Sequence, residues 1–136
     1  MIGEKIADLA YKTTGRRVIS DTEHGPRMEV SIEQTGKFLG IDVVDYGTYD
    51  AVMNDAGMLE GKGQGITMTK DGDSLTWTAT ALGRLTGKGQ SVQWRGSIHY
   101  HTKSQKLAKA NSCCYVFECD IDETGKSGQV RVHEWK

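Results

Sequence analysis

Residues Leu75–His101 read LTWTATALGRLTGKGQSVQWRGSIHYH. The first half alternates with a period of two: Leu75, Trp77, Ala79, Ala81, Gly83 and Leu85 share one face, Thr76, Thr78 and Thr80 the other. Successive side chains of an extended backbone point to opposite faces, so this is the pattern of a strand with one side buried. The second half repeats it. Val92, Trp94, Gly96, Ile98 and Tyr100 form an apolar row, and Gln93, Arg95, Ser97, His99 and His101 a polar one. Between them lies TGKG at 86–89, a glycine-bearing turn signal. Two amphipathic strands joined so closely make an antiparallel hairpin.

The rest of the chain extends this hairpin in both directions. Met28, Val30, Ile32 and Phe38 share a face, and Cys113, Tyr115, Phe117, Cys119 and Ile121 share another. Further turn signals are NDAG at 54–57, KDGD at 70–73 and ETGKSG at 123–128. The chain has one proline against 17 glycines and almost no 3.6-residue periodicity. About eight extended segments result: 4–18, 27–39, 41–53, 58–70, 74–85, 90–102, 112–122 and 129–135, mostly with hairpin-length connections. Segment 41–53 alternates poorly, which predicts a bulge or burial on both faces. In TKSQKLAKANS (102–112), Ser104 is expected to cap one or two helical turns carrying Leu107 and Ala108 over one end of the fold.

GKGQ occurs twice, at 61–64 and 87–90. A phosphate-binding Walker loop needs G-x-x-x-x-G-K-S/T ahead of a helix, whereas here a glycine follows Lys88. A dinucleotide fingerprint enters a helix, whereas GKGQG runs into the β-branched ITMTK. The spacing is that of one strand–turn–strand–turn cycle. It places the copies at the start of, or within, two strands running the same way, with glycines that let a curling sheet bend.

A meander of eight strands exposes two edges unless the last meets the first. Closure yields a barrel whose interior is filled by side chains or holds one small ligand. The expected fold is therefore all-β: a single domain, 1–136, forming an eight-stranded antiparallel up-and-down β-barrel, closed or nearly closed. At most one short helix is expected, near residues 104–110.

A formal net charge of −1 leaves no basic field for nucleic acid or an anionic membrane, so neither is an expected partner. MIGEKIADLA has no apolar run ahead of a cleavage site, and no stretch reaches the length of a membrane helix, so the expected location is cytoplasmic. Three cysteines fit the same reading. Cys113 and Cys114 are adjacent and point to opposite faces, while Cys119 lies roughly 20 Å beyond Cys113 along a strand, too far for a disulfide. Free, buried thiols are expected.

Several stretches resemble bacterial proteins with the allene oxide cyclase-like barrel: MIGEKI at the start, TGRRV at 14–18, GQGITMTKDGDSLTWT at 63–78, VQWRGSIHYHTKSQKLAKAN at 92–111 and VHEWK at the end. The resemblance spans nearly the whole chain. It implies an eight-stranded barrel, often oligomeric in a superfamily that includes plant cyclases of an unsaturated fatty-acid epoxide and dirigent proteins that steer phenoxy-radical coupling. The closer bacterial relatives have no assigned function. The shared motifs are structural and carry over no catalytic residue.

On the apolar rows, rings stand among small residues (Ala79, Ala81, Gly83, Gly96), an arrangement that either interdigitates or leaves a void. A void near Ala79–Gly83 is the expectation. Its lining would be Trp77, Ala79, Ala81, Trp94, Tyr100, Tyr115 and Phe117, taking an apolar or amphipathic small molecule. No cofactor is expected. His99 and His101 stand two apart on one face, but zinc needs at least three protein ligands. His24 lies in a turn, His133 reaches the pair only across the lumen, and no glutamate follows HYH, so no metal is expected. Arg95 and Glu118 fall on polar rows and read as solvated or intersubunit charges. Cys119 sits on an apolar row without a basic neighbour and reads as an inert thiol.

Two functions are consistent with this sequence. One is a small-molecule barrel which, if an enzyme, works as a metal-free isomerase or cyclase. The other is a non-enzymatic binding or assembly module with a filled barrel, acting through the surface of a homo-oligomer. Its interface would come from Ile41, Val43, Val44, Tyr46, Tyr49 and Val52.

Overall fold

Eight strands account for most of the chain in the computed structural model, which describes residues 1–136. They are β1 (Ile2–Thr22), β2 (Gly25–Phe38), β3 (Ile41–Met53), β4 (Leu59–Thr69), β5 (Ser74–Leu85), β6 (Val92–His101), β7 (Cys114–Ile121) and β8 (Ser127–Trp135). Each pairs antiparallel with the next, and β8 pairs with β1, so the sheet is a closed barrel. The alternation noted in Leu75–His101 follows from this closure. The odd residues of β5 and the even residues of β6 face the lumen, and Leu75, Trp77, Trp94 and Ile98 are buried there. Leu85 departs from its row and is 48% exposed, because it lies past the rim where β5 enters its turn.

Of the two outcomes expected for β3, the bulge is absent, while Gly47–Met53 is half-buried on both faces. β3 holds unbroken register with β2 from Met28↔Ala51 to Phe38↔Ile41 and with β4 from Val43↔Thr69 to Met53↔Leu59. Its poor alternation has another source. The inward row carries a carboxylate and a glycine (Asp45, Gly47), and the outward row carries Val44, Tyr46 and Val52. The register shifts lie in β1, between Thr13 and Gly15 and between Val18 and Ser20 against β2, and near Lys5 against β8. β1 outruns β8, so Thr14–Thr22 pairs only with β2 and forms a free edge. Bulges there twist the edge away from a regular template.

Two tryptophans explain the strand glycines. Trp77 lies against Gly47 and Gly65, and Trp94 against Gly61 and Gly83. A Cβ on Gly47 would stand 2.7 Å from the Trp77 ring, and one on Gly61 or Gly83 would stand 2.9 Å from the Trp94 ring. The GKGQG of β4 is therefore a seat for two indoles, more than a bending device. The second GKGQ does not begin a strand. It forms the β5–β6 turn, with φ +86° at Gly87 and +52° at Gly89, and β6 starts only at Val92. The two copies share letters and no structural role.

One end of the barrel is packed shut. Phe38, Leu75, Leu107, Tyr115 and Val132 are almost completely buried there. Phe38, Tyr100 and Tyr115 stack edge to face, with centroids 5.1 and 5.4 Å apart, a geometry that adds about 0.5–1.5 kcal/mol per pair beyond area burial. The expected helix is a single 3-10 turn, Ala108–Asn111. Ser104 does not cap it and instead donates to Asp73 Oδ1 at 3.0 Å. Leu107 and Ala110 enter the core, while Ala108 faces out.

Candidate ligand cavity

Above that floor the lumen keeps a cavity of about 90 Å³. Of the residues expected to line it, Trp77, Ala79, Ala81, Trp94, Tyr100 and Phe117 border it, and Tyr115 does not. Tyr115 lies below, fully buried, and its hydroxyl donates to the Lys109 carbonyl at 2.7 Å, which ties the floor to the 3-10 turn. The space is bordered by the register pairs Gly61–Ala81 and Gly63–Ala79 of β4 and β5, where the two glycines admit Trp94 and Tyr49 and the two alanines carry only methyl groups.

The most polar part of the wall escaped the sequence reading. Gln34, Asp45 and Thr67 are direct register partners on β2, β3 and β4, all inward, all buried and all bordering the cavity. Asp45 is 1% exposed. Its Oδ1 accepts from Thr67 Oγ1 at 2.8 Å and from Trp77 Nε1 at 2.7 Å, and its Oδ2 accepts from Gln34 Nε2 at 2.5 Å. Burial pushes its pKa above the ordinary carboxylate value, against the pull of the Trp77, Thr67 and Gln34 hydrogen bonds. One signal for it was present in the sequence: an acid two residues after Val43, on the parity that faces inward.

Other polar groups reach the cavity. The Tyr11 and Tyr49 hydroxyls are 2.9 Å apart, and Thr13 Oγ1 donates to Tyr11 at 3.1 Å. Burial raises the pKa of both phenols. The Tyr49 ring stands edge-on to Trp94, with centroids 5.7 Å apart. Trp94 Nε1 is the one buried side-chain polar atom without a hydrogen-bond partner. Tyr100 is half-buried and borders the cavity, and its hydroxyl makes no hydrogen bond to the chain. Burial first, then the charge of Asp45, raises its pKa. Cys119 borders the same space, its thiol pushed up to about 12 by burial.

The outer face carries the remaining candidates. His99 and His101 are exposed on the polar row of β6. Arg95, Glu118 and Arg131 are register partners across β6, β7 and β8, with Arg131 Nε 3.0 Å from Glu118 and Arg95 2.8 Å from Asp120. His24 stands between Glu23 and Asp55 at exposed turns. The three cysteines are free, but only Cys119 is buried. Cys114 is exposed because it lies on the outward row of β7, opposite in parity to the buried Tyr115 and Cys119, and Cys113, just ahead of the strand, is half-buried. No helix is long and apolar enough to cross a membrane.

No family model and no curated protein matches this chain. Solved structures do. A protein with unknown function from Clostridium acetobutylicum ATCC 824 superposes with a TM-score of 0.83 at 11% identity, over 98% of this chain and 97% of the other. A conserved protein of unknown function from Rhodopseudomonas palustris gives 0.81 at 12% identity, with the same coverage. At such identities the likeness establishes the barrel, and the use of the lumen has to be argued from its chemistry.

Proposed function

We propose that this barrel binds a compact, largely apolar small molecule in its lumen, with the molecule's polar end against Asp45. One observation supports this above the others: the lumen keeps about 90 Å³ of space among large rings, bordered by the short side chains of Ala79 and Ala81. An engineered apolar cavity of about 150 Å³ takes benzene, so this space suits about four non-hydrogen atoms, or the tip of a longer amphipathic molecule. The allene oxide cyclase-like resemblance adds a reaction type, cyclisation or isomerisation. Such chemistry draws on confinement in a dry pocket, and Asp45 is the one carboxyl bordering the cavity that could move a proton.

Filling the space tests the reading. Ala79→Leu puts three added carbons into the void. The variant should melt higher than the wild type, and it should lose any small-molecule adduct that native mass spectrometry finds on the wild-type protein. Destabilisation by the ~1–3 kcal/mol typical of overpacking, with no wild-type adduct, would reject it.

A second reading, assembly through the outer surface, draws on one feature. Val44 pairs with Met68 and Tyr46 with Ile66, all outward, and Tyr46 and Met68 remain 46% and 37% exposed. Val43 and Tyr49 have no part in it, because both face the lumen. Under this reading Tyr46→Glu lowers the mass measured by analytical ultracentrifugation, whereas an unchanged mass rejects it.

A further inference from the structure

Asp45 and Tyr100 border the cavity together and carry complementary unused capacity. Asp45 Oδ1 already accepts two hydrogen bonds, whereas Oδ2 accepts only one, from Gln34. A carboxylate oxygen takes about two donors, so one acceptor position on Oδ2 is open. Tyr100 presents a hydroxyl with no partner in the chain. Asp45 is out of contact with bulk water and Tyr100 is half-buried, and leaving a buried polar group unmatched beside an apolar ligand costs free energy.

We propose that the lumen selects a neutral hydroxyl-bearing molecule, whose O–H donates to Asp45 while its oxygen accepts from Tyr100. The inference rests on the lumen-binding reading and specifies which class of ligand it favours. A hydroxyl is the smallest neutral group that satisfies both partners at once. An ether oxygen accepts from Tyr100 and leaves Asp45 unmatched. An ammonium can donate to Asp45 and to the Tyr100 oxygen, but it leaves the Tyr100 O–H without an acceptor and must shed its hydration against apolar walls. A carboxylate sets a second negative charge beside Asp45. Selection by a buried polar group is sharp, because a ligand without the matching atom leaves that group unpaired.

The three indole N–H groups supply the readout. Trp77 Nε1 donates to Asp45, Trp94 Nε1 borders the same space unpaired, and exposed Trp135 serves as the internal reference. The probes are n-butanol, its isomer diethyl ether, n-butylamine and butyrate, titrated into 15N-labelled protein. n-Butanol should shift the Trp77 and Trp94 indole signals saturably and bind at least about tenfold more tightly than diethyl ether. Asp45→Asn should erase or reverse that preference. The Asn oxygen keeps Thr67 and Trp77, Gln34 turns its carbonyl to the new amide, and the amide's second hydrogen then faces the cavity as a donor. Tyr100→Phe breaks no hydrogen bond within the chain, so it keeps the fold and should weaken n-butanol several-fold.

Equal binding of the two isomers, tighter binding of the amine or butyrate, or an alcohol preference that survives both substitutions overturns this inference and leaves lumen binding standing. No saturable shift with any of the four probes overturns the lumen-binding reading as well.

Discussion

Asp45 shows how one side chain ties stability to the site. A carboxyl 1% exposed keeps its place because Gln34, Thr67 and Trp77 all donate to it. Removing it would orphan three buried donors, at about 1–3 kcal/mol each. Its effect with pH has a definite sign. The folded-state pKa lies above the ordinary carboxylate value, so its stabilising contribution is full below that ordinary value and is lost as pH rises through the folded pKa. Asp8 shifts the opposite way, its hydrogen bond to Lys5 opposing burial, but it is solvent-screened. Urea unfolding from about pH 4 to about pH 8 should therefore show wild-type stability falling relative to Asp45→Asn, no more steeply than about 1.4 kcal/mol per pH unit. A constant gap would mean that Asp45 ionises as easily folded as unfolded.

Among the elements, β4 depends most on what faces it. Its glycines at 61, 63 and 65 lie on the inward row; the indoles of Trp94 and Trp77 occupy the space where side chains of Gly61 and Gly65 would be, and Tyr49 of β3 that of Gly63. Gly47 on β3 and Gly83 on β5 are the other two indole seats. Gly47→Ala would drive a methyl to 2.7 Å from the Trp77 ring, and Trp77 cannot retreat without giving up its hydrogen bond to Asp45. A cost of ~1–3 kcal/mol is expected from overpacking, together with a displaced Trp77 indole N–H resonance. Wild-type stability in that variant would place the ring elsewhere. The outer ladder of Arg95, Glu118 and Arg131 behaves differently. These side chains are a third to a half exposed, and each pair is worth about 0–1 kcal/mol.

For the whole molecule, closure is the property that matters. β8 pairs with β1 from Ile2↔Trp135 to Lys12↔Ser127, so no strand of the barrel body is an edge. In an open meander, β1 and β8 would fray, with amides exchanging far faster than those of β4 and β5. In this barrel the amides of Leu9, Val130 and Val132 should be protected as strongly as those of β4 and β5. Those along the free edge at Thr14–Thr22 should exchange quickly. Native-state hydrogen exchange checks both, and fast exchange at Leu9 would contradict closure. The closed tube also creates the site, because only a wrapped sheet brings Asp45 of β3 and Tyr100 of β6 to one cavity.

Strand count, connectivity and closure were legible in the sequence because they depend on a local variable. A two-residue rhythm reports which face of each strand is buried, and hairpin-length turns leave antiparallel pairing as the only short route. Leu75–His101 displays both. What tertiary structure alone decided depends on distances between strands. Whether Gly61 bends the sheet or seats Trp94, whether Tyr115 lines the lumen or floors it, and whether an acid in a run of valines is a flaw or the centre of a three-donor site all turn on the registers of β2 through β6. Register is a relation between strands, set by the packing of the whole tube, and no single segment carries it.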